Sequence, residues 1–387
     1  MGNSLKLYHT IMEFLFNSAV RMHDIRVFST FGWAIVGLLF SHEVSLNRWC
    51  QHRPGEAKAA SKVRRLSRWL HNARVEVGSI YRPLISQALA SYAGEELVLA
   101  LDTSQLWNRY VIIRLGLVYR GRAVPVVWTV LPGESATVAF KTYEPLLKSA
   151  VDLLPKEAQV VFLADRGFVH QGLFDLLVDL NWRFCIRIKQ SGLIYRSDFT
   201  KTKVSRLMPK RGEVRFVHHI WLTGHRFGPV HLALGHVQTE NGYEKWAIVS
   251  DRKTGLHTFD EYGLRFDVEE NFLDDKSGGF QLENSLIRDA QALTRLCLVL
   301  AAATLYLVST GVGIVTLGWR HVVDSHWKRG LSYFKIGWRW IEYALTNDNF
   351  LLRFSWLDPG PDLHPVSASK AQDSAPKVIV YAISSLL

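Results

Sequence analysis

The sequence is poor in sulfur chemistry. Its 387 residues include three cysteines, Cys50, Cys185 and Cys297, far apart and odd in number. None stands in a Cys-x-x-Cys pair, which argues against a disulfide framework or a thiolate zinc site and fits a reducing compartment. The 15 histidines show no zinc-ligand spacing. There is no P-loop and no Gly-x-Ser-x-Gly. "GVGIVTLG" (311–318) lacks the strand-then-helix setting and third-glycine spacing of a dinucleotide fingerprint, so neither ATP nor NAD is indicated. Acids are in deficit: 35 Asp and Glu stand against 46 Lys and Arg, a net charge of +11. Such a balance points to a polyanionic partner, nucleic acid being the usual one. "MGNSLKLYHTIMEF" offers no cleavable apolar core after a basic start, so a cytoplasmic location is expected. Uncharged runs long enough to span a bilayer are also scarce. Residues 296–318 form the single one, and it carries Thr304, Ser309, Thr310, Gly311, Gly313 and Thr316. It reads as a buried core helix ending near the glycines rather than a membrane span.

What is present describes a folded protein: 48% hydrophobic and 12% aromatic residues, enough for two or three domains and a large core. Residues 1–92 read as helical and lopsidedly basic. Between Arg48 and Arg74 lie eight basic residues and one acid, Glu56. In "SKVRRLSRWL", Val63, Leu66 and Leu70 recur near helical spacing, while Lys62, Arg64, Arg65 and Arg68 take the other faces. A short helix with such a face suits docking on DNA phosphates, the alternative being an ordinary solvated surface. Residues 93–190 alternate strand, hairpin, helix, strand, helix, strand, a mixed α/β sheet. Shorter strand-like pieces over 191–258 read as a β insertion. Residues 259–320 return to the α/β core, 321–356 form a C-terminal helical region, and the Pro- and Ser-rich 357–387 reads as a flexible tail.

Two apolar strand-like runs, "LVLALD" and "VVFLAD", end in Asp102 and Asp165. Sites form at the carboxyl ends of buried strands. If the two strands are parallel neighbours, the carboxylates sit side by side and need a cation between them, for which Mg²⁺ or Mn²⁺ is suited. A strand-ending Asp also caps turns, so neither alone decides the matter.

A third acid comes from "YGLRFDVEENFLDDK" (262–276), which holds Asp267, Glu269, Glu270, Asp274 and Asp275, with Glu261 just before it. Gly278 and Gly279 stop a helix read over 259–276. At about 100° per residue, Arg265, Glu269 and Lys276 fall within roughly 60° of Tyr262, while Asp267, Asp274 and Asp275 lie about 120° or more away. Tyr262, Arg265, Glu269 and Lys276 thus share a stripe unsuited to a core and suited to holding a metal beside phosphates. The other acids are expected on a solvated face. An i,i+4 salt bridge between Arg265 and Glu269 is the plainer reading of the spacing. Three acids from two strands and one helix, on a basic protein, point to two-metal phosphoryl transfer.

The spacing Tyr262, Arg265, Glu269, Lys276, with "LALDTS" around Asp102 and "FLADRGF" around Asp165, resembles the DDE transposases of bacterial insertion sequences. The resemblance is to the group with the Tyr-Arg-Glu-Lys signature (insertion-sequence family four), and it spans residues 30–345. It implies an RNase H-like fold, with Asp102, Asp165 and Glu269 as catalytic and metal-binding residues for two Mg²⁺ or Mn²⁺ ions. It implies that Tyr262, Arg265 and Lys276 grip phosphates, and that Trp246 stacks on a flipped base. It further implies binding to double-stranded transposon ends and target DNA, a homodimeric synaptic complex, cleavage in trans and hairpin intermediates. "HWKRGLSYFKIGWRWIEYAL" (326–345) mixes aromatics and cations and is a candidate for further DNA or dimer contacts. The rival readings are a non-catalytic DNA-binding repressor, another RNase H-like nuclease, and a membrane protein built on 296–318.

Overall fold

The computed structural model describes residues 2–17, 24–198, 200–239, 242–353, 357–366 and 376–386. The chain opens with five α-helices: α1 (Asn3–Asn17), α2 (Ile25–Ser41), α3 (Leu46–Trp49), α4 (Ala59–Leu70) and α5 (Val77–Ala88). Asp24 caps α2 by accepting from the Arg26 amide, and Ser45 does the same for α3 from Arg48. An α/β segment follows: β1 (Glu96–Leu106), β2 (Tyr110–Tyr119), β3 (Arg122–Pro132), α6 (Phe140–Val151), β4 (Gln159–Ala164), α7 (Gln171–Asp179) and β5 (Arg183–Arg187). Next come β6 (Leu193–Tyr195), β7 (Lys201–Lys203), α8 (Val204–Leu207), β8 (Glu213–Leu222), β9 (Phe227–Thr239) and β10 (Gly242–Ser250). The chain then returns to helix with α9 (His257–Gly263), α10 (Phe266–Leu273), α11 (Ala290–Thr316) and α12 (Tyr333–Thr346), and ends in β11 (Lys377–Val378) and β12 (Ala382–Leu386).

Among the described residues the strands form one sheet of twelve, ordered β3-β2-β1-β4-β5-β10-β9-β8-β6-β7, with β11 on β9 and β12 on β8. β1, β2 and β3 make an antiparallel meander, whereas β1–β4 and β4–β5 pair in parallel. Where they pair in parallel, residues 97–101 of β1 and 160–164 of β4 are wholly apolar, as burial on both faces requires. The strands of 191–258, expected as a β insertion, continue the same sheet through the antiparallel β5–β10 pair.

The apolar run at 296–318 lies within α11, where 94% of the most apolar window is buried. Asp289 caps it by accepting from the Ala292 amide at 2.7 Å. α11 packs on β3 and on α12, and also on α2, α4 and α5, so one helix joins the N-terminal helices to the sheet. Arg295 makes the same link with polar groups, its Nε and Nη1 donating to the carbonyls of Val75 (3.0 Å) and Leu70 (3.1 Å). The α11–α12 crossing depends on glycine: a Cβ at Gly337 would stand 1.9 Å from the Leu307 carbonyl oxygen, and one at Gly311 1.9 Å from that of Tyr333.

The expected flexible tail at 357–387 is corrected for its described parts. Leu357 is buried, Asp358 pairs with Arg120 at 3.0 Å, and Asp362 meets Arg329 (2.7 Å) and the Tyr333 hydroxyl (2.6 Å). The apolar end pairs its backbone as β12, in parallel with the first half of β8, an edge that β6 does not reach. Composition misled here because a short edge strand needs backbone partners, not a buried face. Residues 354–356 and 367–375 lie outside the described residues.

Candidate active site

The last parallel pair between β1 and β4 is Leu101 with Ala164, so Asp102 and Asp165 are the next residue on each neighbouring strand. β1 does not end at Asp102, as its sequence led one to expect; it runs on to Leu106 against β2. One Asp102 oxygen accepts from the Thr103 amide at 2.8 Å, and the other from Arg265 Nη1 at 3.2 Å. Burial pushes the Asp102 carboxyl up to about 6, against the pull of Arg265 and the Thr103 amide and with the help of the Glu269 and Asp165 charges. Asp165 accepts from the Tyr262 hydroxyl at 3.3 Å.

The helix read over 259–276 is corrected to three pieces: α9, α10 and a π-helical turn at Asp274–Gly278. Between α9 and α10 the amides of Arg265, Asp267 and Val268 bond three residues back, at 3.0, 3.1 and 3.1 Å. Such a 3₁₀ step eclipses side chains at i and i+3, which sets Arg265 over Tyr262. Arg265 Nε donates to the Tyr262 hydroxyl at 3.2 Å and Nη2 to Glu269 at 2.5 Å. One guanidinium therefore touches Tyr262, Asp102 and Glu269 at once, and Tyr262 passes the link on to Asp165. Burial opposes the Arg265 charge, but Tyr262, Asp102, Glu269 and Asp165 together hold its pKa above the ordinary value. The Tyr262 hydroxyl is pushed up by burial and stays protonated. Glu269 keeps about half of its side chain exposed, so the cluster opens to solvent on that side.

Among the described residues no three His, Cys, Asp or Glu side chains stand in a metal-holding arrangement. The donor set nevertheless has the chemistry of a hard-cation site: two carboxylates on one guanidinium and a third linked to it through the Tyr262 hydroxyl, one of the three, Asp102, destabilised as an anion by burial.

Three expectations about the surrounding residues are overturned. Trp246 is fully buried on the interior strand β10, 5.0 Å from the Tyr262 ring edge-on and 5.8 Å from Phe266 in a stack. It supports Tyr262 from behind and offers no face to a base. Tyr262 and Arg265 are likewise buried, their polar atoms engaged by the carboxylates rather than free for phosphate. Lys276 lies within the π turn, and its ammonium has a partner in the chain, Glu283 at 4.0 Å.

The acids expected on a solvated face are instead counter-ions to the sheet. Arg114 of β2 is fully buried, 2.6 Å from Asp275 without hydrogen-bond alignment, and donates to the Asn271 side chain at 2.6 Å. Arg122 of β3 meets Asp274 at 2.9 Å and Glu270 at 3.1 Å. Burial raises Asp267 to about 7 and Asp274 to about 6, Arg122 opposing in both cases. The signal was in the sequence: an arginine inside "YVIIRLGLVY" must find a carboxylate wherever the strand is buried. Arg64, Arg65 and Arg68 are exposed on α4; of the expected apolar positions Leu66 and Leu70 are buried and Val63 is half-buried, and Trp69 is buried as well.

Fold and site together define a mixed α/β protein with a carboxylate–guanidinium centre at the carboxyl ends of two parallel strands. No family model matches the chain, and no curated protein is similar to it. Among solved structures it is similar to a piggyBac transposase in a synaptic complex with hairpin DNA, at 11% identity, over 89% of this chain and 80% of that one, with a TM-score of 0.44. So distant a likeness assigns nothing, and the side chains carry the functional case alone.

Proposed function

We propose that the chain is a DDE-type DNA transposase that binds the inverted repeats of an insertion sequence and catalyses strand cleavage and strand transfer. The observation that carries this reading is that Asp102 and Glu269 both pair with Arg265, while Asp165, beside Asp102 on the neighbouring strand, is tied to the same arginine through the Tyr262 hydroxyl. The order β3-β2-β1-β4-β5 supports the RNase H-like assignment. The exposed arginines of α4 and the net charge of +11 support a DNA partner.

Asp102, Asp165 and Glu269 would hold two Mg²⁺ or Mn²⁺ ions, whose chemistry is to activate a water or 3′-hydroxyl and to stabilise the leaving oxygen. The chain's own residues do the positioning. Asp102 and Asp165 are fixed by the β1–β4 register. Tyr262 holds Asp165 through its hydroxyl, and Trp246 and Phe266 fix the Tyr262 ring. Arg265 offsets the repulsion among the carboxylates. Glu269 is the solvent-facing member, half exposed and on the helix whose following π turn is anchored by Asp275. A homodimeric synaptic complex, hairpin ends and a cytoplasmic location belong to the same proposal. Glu269→Gln should abolish Mg²⁺-dependent nicking of an end-containing duplex while leaving end binding largely intact. Loss of both would make Glu269 structural, and a wild-type chain that binds DNA tightly but leaves it uncut would turn the reading to a repressor.

A further inference from the structure

The segment between α11 and α12 is built around a buried ion pair. Asp324 is fully buried and accepts from Arg320 Nη1 (3.0 Å), His326 Nδ1 (2.6 Å), the His326 amide (3.2 Å) and the Gly330 amide (3.0 Å). Arg320 also donates to the carbonyls of His326 (2.9 Å) and Trp327 (3.0 Å). One carboxylate and one guanidinium thus hold the turn at 324–330 from inside, with charge-assisted bonds at both ends. The turn's outward product is Trp327, whose side chain is 92% exposed. An indole left this far in water beside exposed cations leaves a free π-face that a nucleic-acid base can cover.

The surroundings define what it contacts. Lys328 is exposed beside it. Arg339 donates to the Val323 carbonyl at 3.2 Å, tying the base of the turn to the exposed face of α12, where Lys335 lies one turn earlier. A cavity of about 330 Å³ opens between these two cations and the Gly278–Gly279 backbone at the end of the π turn. The acids of this face are already answered, Asp324 by Arg320 and His326, and Glu342 by His42 at 2.7 Å. Lys328, Lys335 and Arg339 enter no ion pair among the described residues.

We propose that Trp327 is a base-stacking residue: an unpaired nucleotide of a DNA strand lies on the indole while Lys328, Arg339 and Lys335 take the flanking phosphates. Every base has a π-face, so such a platform works without sequence readout. A second copy of the chain is a poorer occupant, because a two-fold contact sets this cationic face against itself. The inference rests on the reading above only in taking DNA as the ligand. It places the unpaired-base contact away from Trp246, on a different element.

The test is anisotropy of the full chain without divalent ions, on a labelled duplex carrying a two-nucleotide unpaired flap and on a fully paired duplex of equal length. Trp327→Ala should weaken flap binding about ten-fold, the scale of one lost base–aromatic stack, and paired-duplex binding far less; Trp327→Phe should retain most of the affinity. Lys328→Gln should weaken both duplexes alike and flatten the salt dependence. Unchanged flap binding by Trp327→Ala, an equal loss on both duplexes, or a change of oligomeric state with binding intact would each overturn the proposal. A wild type that prefers the flap yet never nicks DNA with Mg²⁺ sinks the transposase reading and leaves this one standing. Nicking by the wild type together with normal flap binding by Trp327→Ala does the reverse.

Discussion

Arg265 sits where a cation is needed and supplies one from the chain itself. Its contacts tie Asp102 and Glu269 together directly and reach Asp165 through the Tyr262 hydroxyl. Replacing it with Gln should leave the carboxylates repelling one another and destabilise the metal-free protein by about 1.5–3 kcal/mol, the range for hydrogen bonds to charged groups. The same change clears the centre for an external ion. Mn²⁺ should therefore raise the melting temperature of Arg265→Gln by more than that of the wild type, since a ligand stabilises by what it gains on the folded state. Equal Mn²⁺ shifts in both proteins would show that Arg265 does not contend for the site. At this scale the sequence was half legible. The stripe placed Tyr262, Arg265 and Glu269 together, but helical angles say nothing of which side of the stripe faces the sheet. Trp246 came from the resemblance, and a matching position says nothing of burial until the strand's place in the sheet is known.

Between elements, the contact that seats the helix carrying Glu269 is the ion pair reaching from β2 to the π turn. Arg114→Met would strand the buried Asp275 carboxylate and should cost roughly 3–5 kcal/mol, whereas the double change Arg114→Met with Asp275→Leu should recover most of that loss. Urea melts of the two single variants and the double one measure the coupling. A strictly additive result would mean that the pair holds nothing. The strands and most helices were legible from their periods of two and 3.6. The break of 259–276 into an α-helix, a 3₁₀ step, a second α-helix and a π turn was not, because local hydrogen-bond pitch is chosen by what the side chains must reach. Here Asp274 and Asp275 reach into the sheet for Arg122 and Arg114, and the helix widens to let them.

Over the whole molecule, the insertion and the core share one sheet, whose β8 edge is sheltered by β12. Removing residues 376–387 should leave the core folded but bare that edge, and light scattering should register concentration-dependent aggregation; a truncated chain as monodisperse as the full one would show the strand to be dispensable. The tail's composition hid this, since backbone pairing leaves little trace in side-chain type. The helix α11 was legible as buried, yet nothing in its own residues said that it would join the N-terminal helices to the sheet, through contacts with α2, α4, α5 and β3 and the two Arg295 bonds. Packed against both, α11 sets the span between the arginines of α4 and the carboxylates of Asp102 and Asp165. On the proposed reading the molecule acts as a ruler: where it grips the duplex dictates which phosphodiester is cut, and the cut falls at one nucleotide position instead of a spread of them.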